Sequence, residues 1–77
     1  MSRTMRLAKC AVGARVVVSV VEGSASRIDR LASFGILPGV ELRVQQTRPV
    51  VVVESDETVL ALERDIAEDV IVVLVAS

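Results

Sequence analysis

Histidine, tryptophan and tyrosine are all missing from this 77-residue chain, and it holds one cysteine, one phenylalanine and two prolines. Each shortage excludes a chemistry. Without His and with one Cys, neither a zinc cluster nor a Cys–His nucleophile pair can be assembled within the chain. A lone Cys10 cannot form an intramolecular disulfide, and so short a chain without staples fits a reducing compartment. One Phe34 cannot line the aromatic groove that captures proline-rich peptides. No uncharged apolar run approaches the roughly 18–20 residues that span a bilayer. The longest Val-rich stretch, residues 16–21, lies between Arg15 and Glu22. The N-terminal Arg3, Arg6 and Lys9 are followed by no signal-peptide apolar region. A cytosolic protein without membrane insertion is expected.

Charge is nearly balanced, with nine basic and ten acidic residues and a formal net charge of −1. Phosphate neutralisation needs a basic face, so no nucleic-acid partner is expected. Arg27 and Arg30 stand one helical turn apart with Asp29 between them, which reads as a solvated helix face. Asp65, Glu68 and Asp69 form the densest acidic group but have no ion-loop spacing. No catalytic constellation, metal set or cofactor motif can be named, so an enzyme is not expected. Gly35 and Gly39 lie in Gly-Ile-Leu-Pro-Gly, without the Lys-Ser/Thr of a phosphate loop. Cys10, three residues after Leu7 at an apolar position, reads as a packed thiol, with a reactive thiol or intermolecular metal ligand as the alternative.

What the chain does have is aliphatic bulk: 52% of its residues are hydrophobic, and Val is the commonest of these. β-branched residues fit a pleated sheet, so a mainly β domain over residues 1–77 is expected. The first ten residues read as a lead-in. Residues 14–22 read as a strand with Val16, Val18 and Val20 on one face and Arg15, Val17, Ser19 and Val21 on the other. Residues 25–34 read as a short helix, with Ser26 and Asp29 resembling a capping box and Ile28, Leu31, Ala32 and Gly35 on one stripe. Gly35 stops that helix. Pro38-Gly39 predicts a type II turn. Strands follow at residues 41–46, 50–54, 58–62 and 70–75, with a three-residue hairpin loop at 55–57 and a single helical turn within 63–69. Strand, helix, then four short strands with tight turns favour a small antiparallel barrel. The outer Val17, Val21 and alternate residues of 50–53 look too apolar for open solvent, which suggests a homodimer.

The run Arg30-Leu31-Ala32-Ser33-Phe34-Gly35-Ile36-Leu37-Pro38-Gly39 resembles the signature of the FeoA family. Leu7, Cys10, Gly13 and Val16 stand where that family has Leu, an apolar residue, Gly and Val. Residues 61–72 resemble its closing segment. The loop at 46–49 is shorter than in many members, and Cys10 replaces a more usual Leu. The resemblance implies an SH3-like barrel with a helix inserted after the first strand. It also implies a cytosolic accessory protein of a bacterial ferrous-iron transport system, in contact with the cytoplasmic GTP-binding part of a FeoB-type membrane transporter. The helix end and its turn project apolar groups, so Arg27, Arg30, Leu31, Leu37, Pro38 and Gly39 are the candidate contact residues. The alternative is a stand-alone regulatory or self-associating module linked to an iron-dependent transcriptional repressor, since the same barrel occurs as a domain of such repressors. The chain has no helix-turn-helix with which to bind an operator alone.

Overall fold

A computed structural model describes residues 4–56 and 58–75. Among these, six strands form one antiparallel sheet: β1 (Thr4–Arg6), β2 (Arg15–Val21), β3 (Glu41–Gln46), β4 (Val51–Ser55), β5 (Thr58–Leu62) and β6 (Val70–Leu74). Two helices interrupt them, α1 (Ala25–Ser33) after β2 and α2 (Arg64–Ala67) before β6. The spatial order is β1-β6-β2-β3-β4-β5. The expected mainly β fold with a helix near its start and one helical turn before its end is present. The end strands β1 and β5 are not hydrogen-bonded to each other, so the ladder does not close.

The lead-in is itself structured. Thr4–Arg6 pairs with β6, and a 3-10 turn, Leu7–Lys9, follows. Leu7, Ala8 and Cys10 are all buried. Three residues are too few for an alternation pattern to show, which is why this strand was not legible, and the inserted helix therefore follows the second strand.

The sheet has two register shifts, and one of them re-aims side chains. Between β2 and β6, Val18 pairs with Val72 but Val20 pairs with Ile71, leaving Ser19 as the extra residue. Inward and outward exchange at that point: Val16 and Val18 are buried, Val20 is 49% exposed and Val21 is buried. The strict alternation expected for β2 thus fails beyond Ser19, because a bulge inserts one residue and shifts the parity. A second register shift lies between Val44 and Gln46 where β3 meets β4, and there the alternation of β3 is kept.

The core is aliphatic, as composition requires. Leu7, Val16, Val18, Leu42, Val44, Val51, Val53, Val70 and Val72 are all at 1% exposure or less, and none of the buried side chains described is polar. Each such side chain contributes about 1.5–3 kcal/mol by leaving water.

Cys10 belongs to this core. Its Sγ lies 3.6 Å from the carbonyl oxygen of Arg6. Burial pushes the thiol up above its ordinary value. The unfolded chain, with the lower value, releases this proton first, so folding stability is full below pH about 8.5 and falls as pH rises beyond it. Cys10→Ala should flatten that alkaline limb in urea titrations between pH 8 and 10. In the native wild-type protein at pH 7.5, iodoacetamide should label Cys10 only at the rate of unfolding; rapid labelling of folded protein would contradict its burial.

The helix stop has its own test. Gly35 has φ +92°, and a Cβ built there meets nothing within 4 Å. Gly35→Ala therefore isolates the conformational cost, expected at about 1–2 kcal/mol. Urea denaturation should show a lower midpoint with an unchanged m-value.

Candidate functional site

Helix α1 and the turn after it present every candidate contact residue. The helix starts at Ser24, whose Oγ accepts the backbone N–H of Arg27 at 3.2 Å. The cap is thus two residues earlier than the Ser26 reading, and Ser26 Oγ lies 3.3 Å from Ser24 Oγ instead. The helix ends in a Schellman motif: Gly35 N–H donates to Ala32 O and Ile36 N–H donates to Leu31 O. Leu31 and Ile36, the pair that such a motif brings together, are both buried. The chain then turns through residues 37–40. Val40 N–H donates to Leu37 O at 3.2 Å and Gly39 has φ +94°, as a type II turn requires. Gly39 N–H donates to Val18 O and Val18 N–H to Val40 O, which fixes this turn on β2.

That framework separates the six residues. Leu31 is 3% exposed and packs in the core. Arg27 Nη1 donates to Asp69 Oδ2 at 2.9 Å, fastening α1 to the turn between α2 and β6. Gly23 leaves room for this link, since a Cβ there would stand 3.3 Å from Arg27 Cδ. Arg30 is exposed, and among the described residues its guanidinium makes no ion pair or hydrogen bond. Leu37 is 40% exposed, and Pro38 and Gly39 are exposed beside it. Arg27, Arg30 and Leu31 share a cleft of about 260 Å³ with Ser24, Ser26 and Ile66.

Phe34 was missed as a candidate. The chain's one aromatic is 53% exposed at the helix C-cap, near the Leu37 turn. An aromatic directly before a helix-stopping Gly is the signal that could have marked it, because that position points off the buried stripe.

Elsewhere the surface is charge-compensated. Arg15 donates to Glu41 Oε2 through Nε and Nη2, at 3.0 and 2.8 Å. Arg43 lies opposite Glu54 across β3 and β4. With Asp56 these residues line an open concavity of about 410 Å³, where the three carboxylates outnumber the two guanidiniums and leave no positive charge to hold an anion. Arg6 Nη1 donates both to Glu22 Oε1 and to Glu68 O, at 2.8 Å each. The hydrogen bond to Glu22 is the main reason its guanidinium is raised above the ordinary value. Arg64 donates to the carbonyls of Thr47 and Ala8, tying α2 to the loop after β3 and to the turn after β1. Asp69 and Glu68 face Arg27 and Lys9 rather than each other. Among the described residues no group of three or more His, Cys, Asp or Glu side chains is placed to hold a metal ion. No described helix is long and apolar enough to cross a membrane.

The fold is a small mainly β domain with an inserted helix, and several of its arginines tie its own segments together. Comparison with known proteins gives it a family. The model of the FeoA domain matches residues 5–74. The chain belongs to the FeoA domain family, which is a family of small accessory domains and supports a role in ferrous-iron transport systems. Among solved structures, a FeoA described as an iron uptake regulatory protein superposes with a TM-score of 0.88 at 20% identity, covering 95% of this chain and all of that one. FeoA from Chlorobium tepidum superposes with a TM-score of 0.85 at 27% identity, covering 94% of this chain and 71% of that one. A manganese-dependent transcriptional repressor shares the fold with a TM-score of 0.88 at 23% identity, over 97% of this chain but 44% of the repressor. A search of curated proteins finds no match.

The split between core and surface is testable. Leu31→Ala should cost about 2–5 kcal/mol of folding stability, whereas Leu37→Ala should change it by no more than about 0.5 kcal/mol. Thermal denaturation of both variants decides this; equal losses would place Leu37 in the core as well.

Proposed function

We propose that this protein is a cytoplasmic accessory subunit of a ferrous-iron transport system, acting by protein–protein contact with the cytoplasmic GTP-binding part of a FeoB-type membrane transporter. Iron is the cargo of that system. The observation that carries the reading is the FeoA family match over residues 5–74, which leaves little of the chain outside the shared domain. The local chemistry agrees. Interfaces are anchored by aromatic and Arg side chains set among apolar neighbours. Phe34, Arg30 and Leu37 are exposed on the helix end and its turn, with Pro38 and Gly39 keeping the turn rigid. Leu31 and Arg27 hold that surface in place from beneath and from the side.

The test is binding of the purified protein to its cognate transporter in nanodiscs, with and without GTP and Fe(II). Saturable binding is expected. The pair Arg30→Glu and Leu37→Ala should weaken it at least about tenfold, the scale of a hot-spot loss, while the melting temperature stays near that of the wild type. Wild-type affinity in that variant would remove the turn from the interface.

The fold shared with the manganese-dependent repressor favours one second reading, a stand-alone partner of a metal-dependent repressor or a self-associating regulatory module. Absence of binding to an active transporter, with co-purification of a DNA-binding protein, would establish it. A dimer in sedimentation without either partner would point to self-association.

A further inference from the structure

The two ends of the sheet are built differently. β1 is three residues long and carries Arg6, so its edge is short and charged. Short strands and charged side chains are how native sheets protect an edge. β5 has neither device. Its five residues, Thr-Val-Leu-Ala-Leu, include no charge and no Pro, and its ladder with β4 runs without a bulge. Ser55 pairs with Thr58, Val53 with Leu60 and Val51 with Leu62. A two-residue connection makes Ser55 and Thr58 a bonded pair, and bonded pairs alternate along an antiparallel ladder. Val59 and Ala61 therefore turn their N–H and C=O groups away from β4. Among the described residues no loop, cap or side-chain hydrogen bond reaches them. Thr58, Val59 and Ala61 are exposed, Val59 at 58%.

Two further features sit on the same edge. Phe34 comes from the far end of α1 to meet Ile36, Val53, Thr58 and Leu60 around an apolar crevice of about 10 Å³. That is too small for a ligand of its own, but two of the residues that line it, Thr58 and Leu60, belong to the edge strand itself. The edge is also bracketed by acid: Asp56 precedes it and Glu63 follows it, both exposed.

We propose that the free edge of β5 is a strand-addition site for an extended segment of a partner protein, with an apolar centre and basic residues at both ends. The added strand takes the four outward backbone groups of Val59 and Ala61. Its central side chain on the core-facing side lies opposite Leu60 and against Phe34. Its basic ends meet Asp56 and Glu63. Main-chain bonds of this kind supply affinity, and pockets for alternate side chains supply specificity. A second copy of this chain is a poor occupant. Each end of β5 is acidic, so self-pairing in either direction sets acid against acid. The proposal shares Phe34 with the helix-end surface but not Arg30 or Leu37, and it stands whether or not the Leu37 turn contacts a transporter.

The test uses the intact protein and two synthetic probes. One is a nine-residue peptide of alternating Val and Thr flanked by two lysines at each end; the other has glutamates in place of the lysines. Amide hydrogen exchange is read residue by residue by NMR. The lysine peptide should slow exchange at Val59 and Ala61 at least about tenfold, and the glutamate peptide should not. Asp56→Asn with Glu63→Gln should weaken the lysine peptide at least fivefold, and Phe34→Ala should weaken it too. Val59→Pro, which removes one outward N–H and leaves the ladder to β4 intact, should abolish protection; unchanged β2 and β6 amide signals verify its fold. Unchanged exchange with the lysine peptide, or equal protection by both peptides, would overturn the proposal. So would protection of Val59 and Ala61 that grows with protein concentration alone, which would make a second copy the occupant.

Discussion

The structure depends on the last strand being laid between the first two. β6 bonds to β1 on one side and β2 on the other, with Val70 and Val72 at 0% exposure. Remove it and β1 has no partner, while β2 keeps only β3. A chain of 77 residues with one aromatic has few large side chains to offer, so it must gather small aliphatics from its whole length. Bringing residue 72 beside residues 5 and 18 closes long loops, whose entropy is lost before the contacts form. The arginine ties reinforce that closure. Arg6 reaches the end of β2 and the turn before β6, Arg27 reaches the same turn from α1, and Arg64 reaches back to the turn after β1. Each tie is individually modest at a wet surface. Together they fix the segment that feeds β6 into its slot.

How much of this was legible follows from what each element shows in sequence. β3 and β5 were read to the residue, because one alternates cleanly and the other is a β-forming run between polar flanks. The helix stop at Gly35 and the turn at Pro38-Gly39 were legible because positive φ leaves a compositional trace. β1 left none, being three residues long. The inward turn of Val21 was hidden because a bulge at Ser19 is set by pairing with β6, a strand fifty residues away. The cap was misplaced for a similar reason: Ser24 and Ser26 are both good capping residues, and backbone geometry chose between them. The hairpin after β4 is tighter than expected, with Ser55 drawn into the strand; Glu57 lies outside the described residues.

The candidate site was legible as a place more than as a set of residues. The run from Arg30 to Gly39 does carry the exposed apolar groups, but position along a helix decides which of them face out. Leu31 lies on the stripe with Ile28 and is buried, and its neighbour in role is Phe34, three residues on and exposed. Side-chain direction on a helix separates them: three residues advance the helix by 300°, which is enough, with the cap's departure from helical geometry, to carry a side chain off the buried face. The same Schellman motif that buries Ile36 leaves Phe34 outside. The stop signal and the exposed aromatic are thus one structural event.

That coupling bears on how a domain of this kind can carry a function. Arg6, Arg15, Arg27 and Arg64 are committed to carboxylates and carbonyls of its own chain, and its charge is nearly balanced, so long-range steering is weak. What remains is shape: one exposed aromatic, one rigid turn and one unprotected strand. All three sit on rigid parts of the fold. Phe34 rides on a capped helix end, residues 37–40 are bonded to β2, and β5 is held along its length by β4. Rigid elements lose little conformational entropy on association, so a small contact area can still give useful affinity. Preorganisation of these three elements is thus a physical route by which this domain can hold a partner.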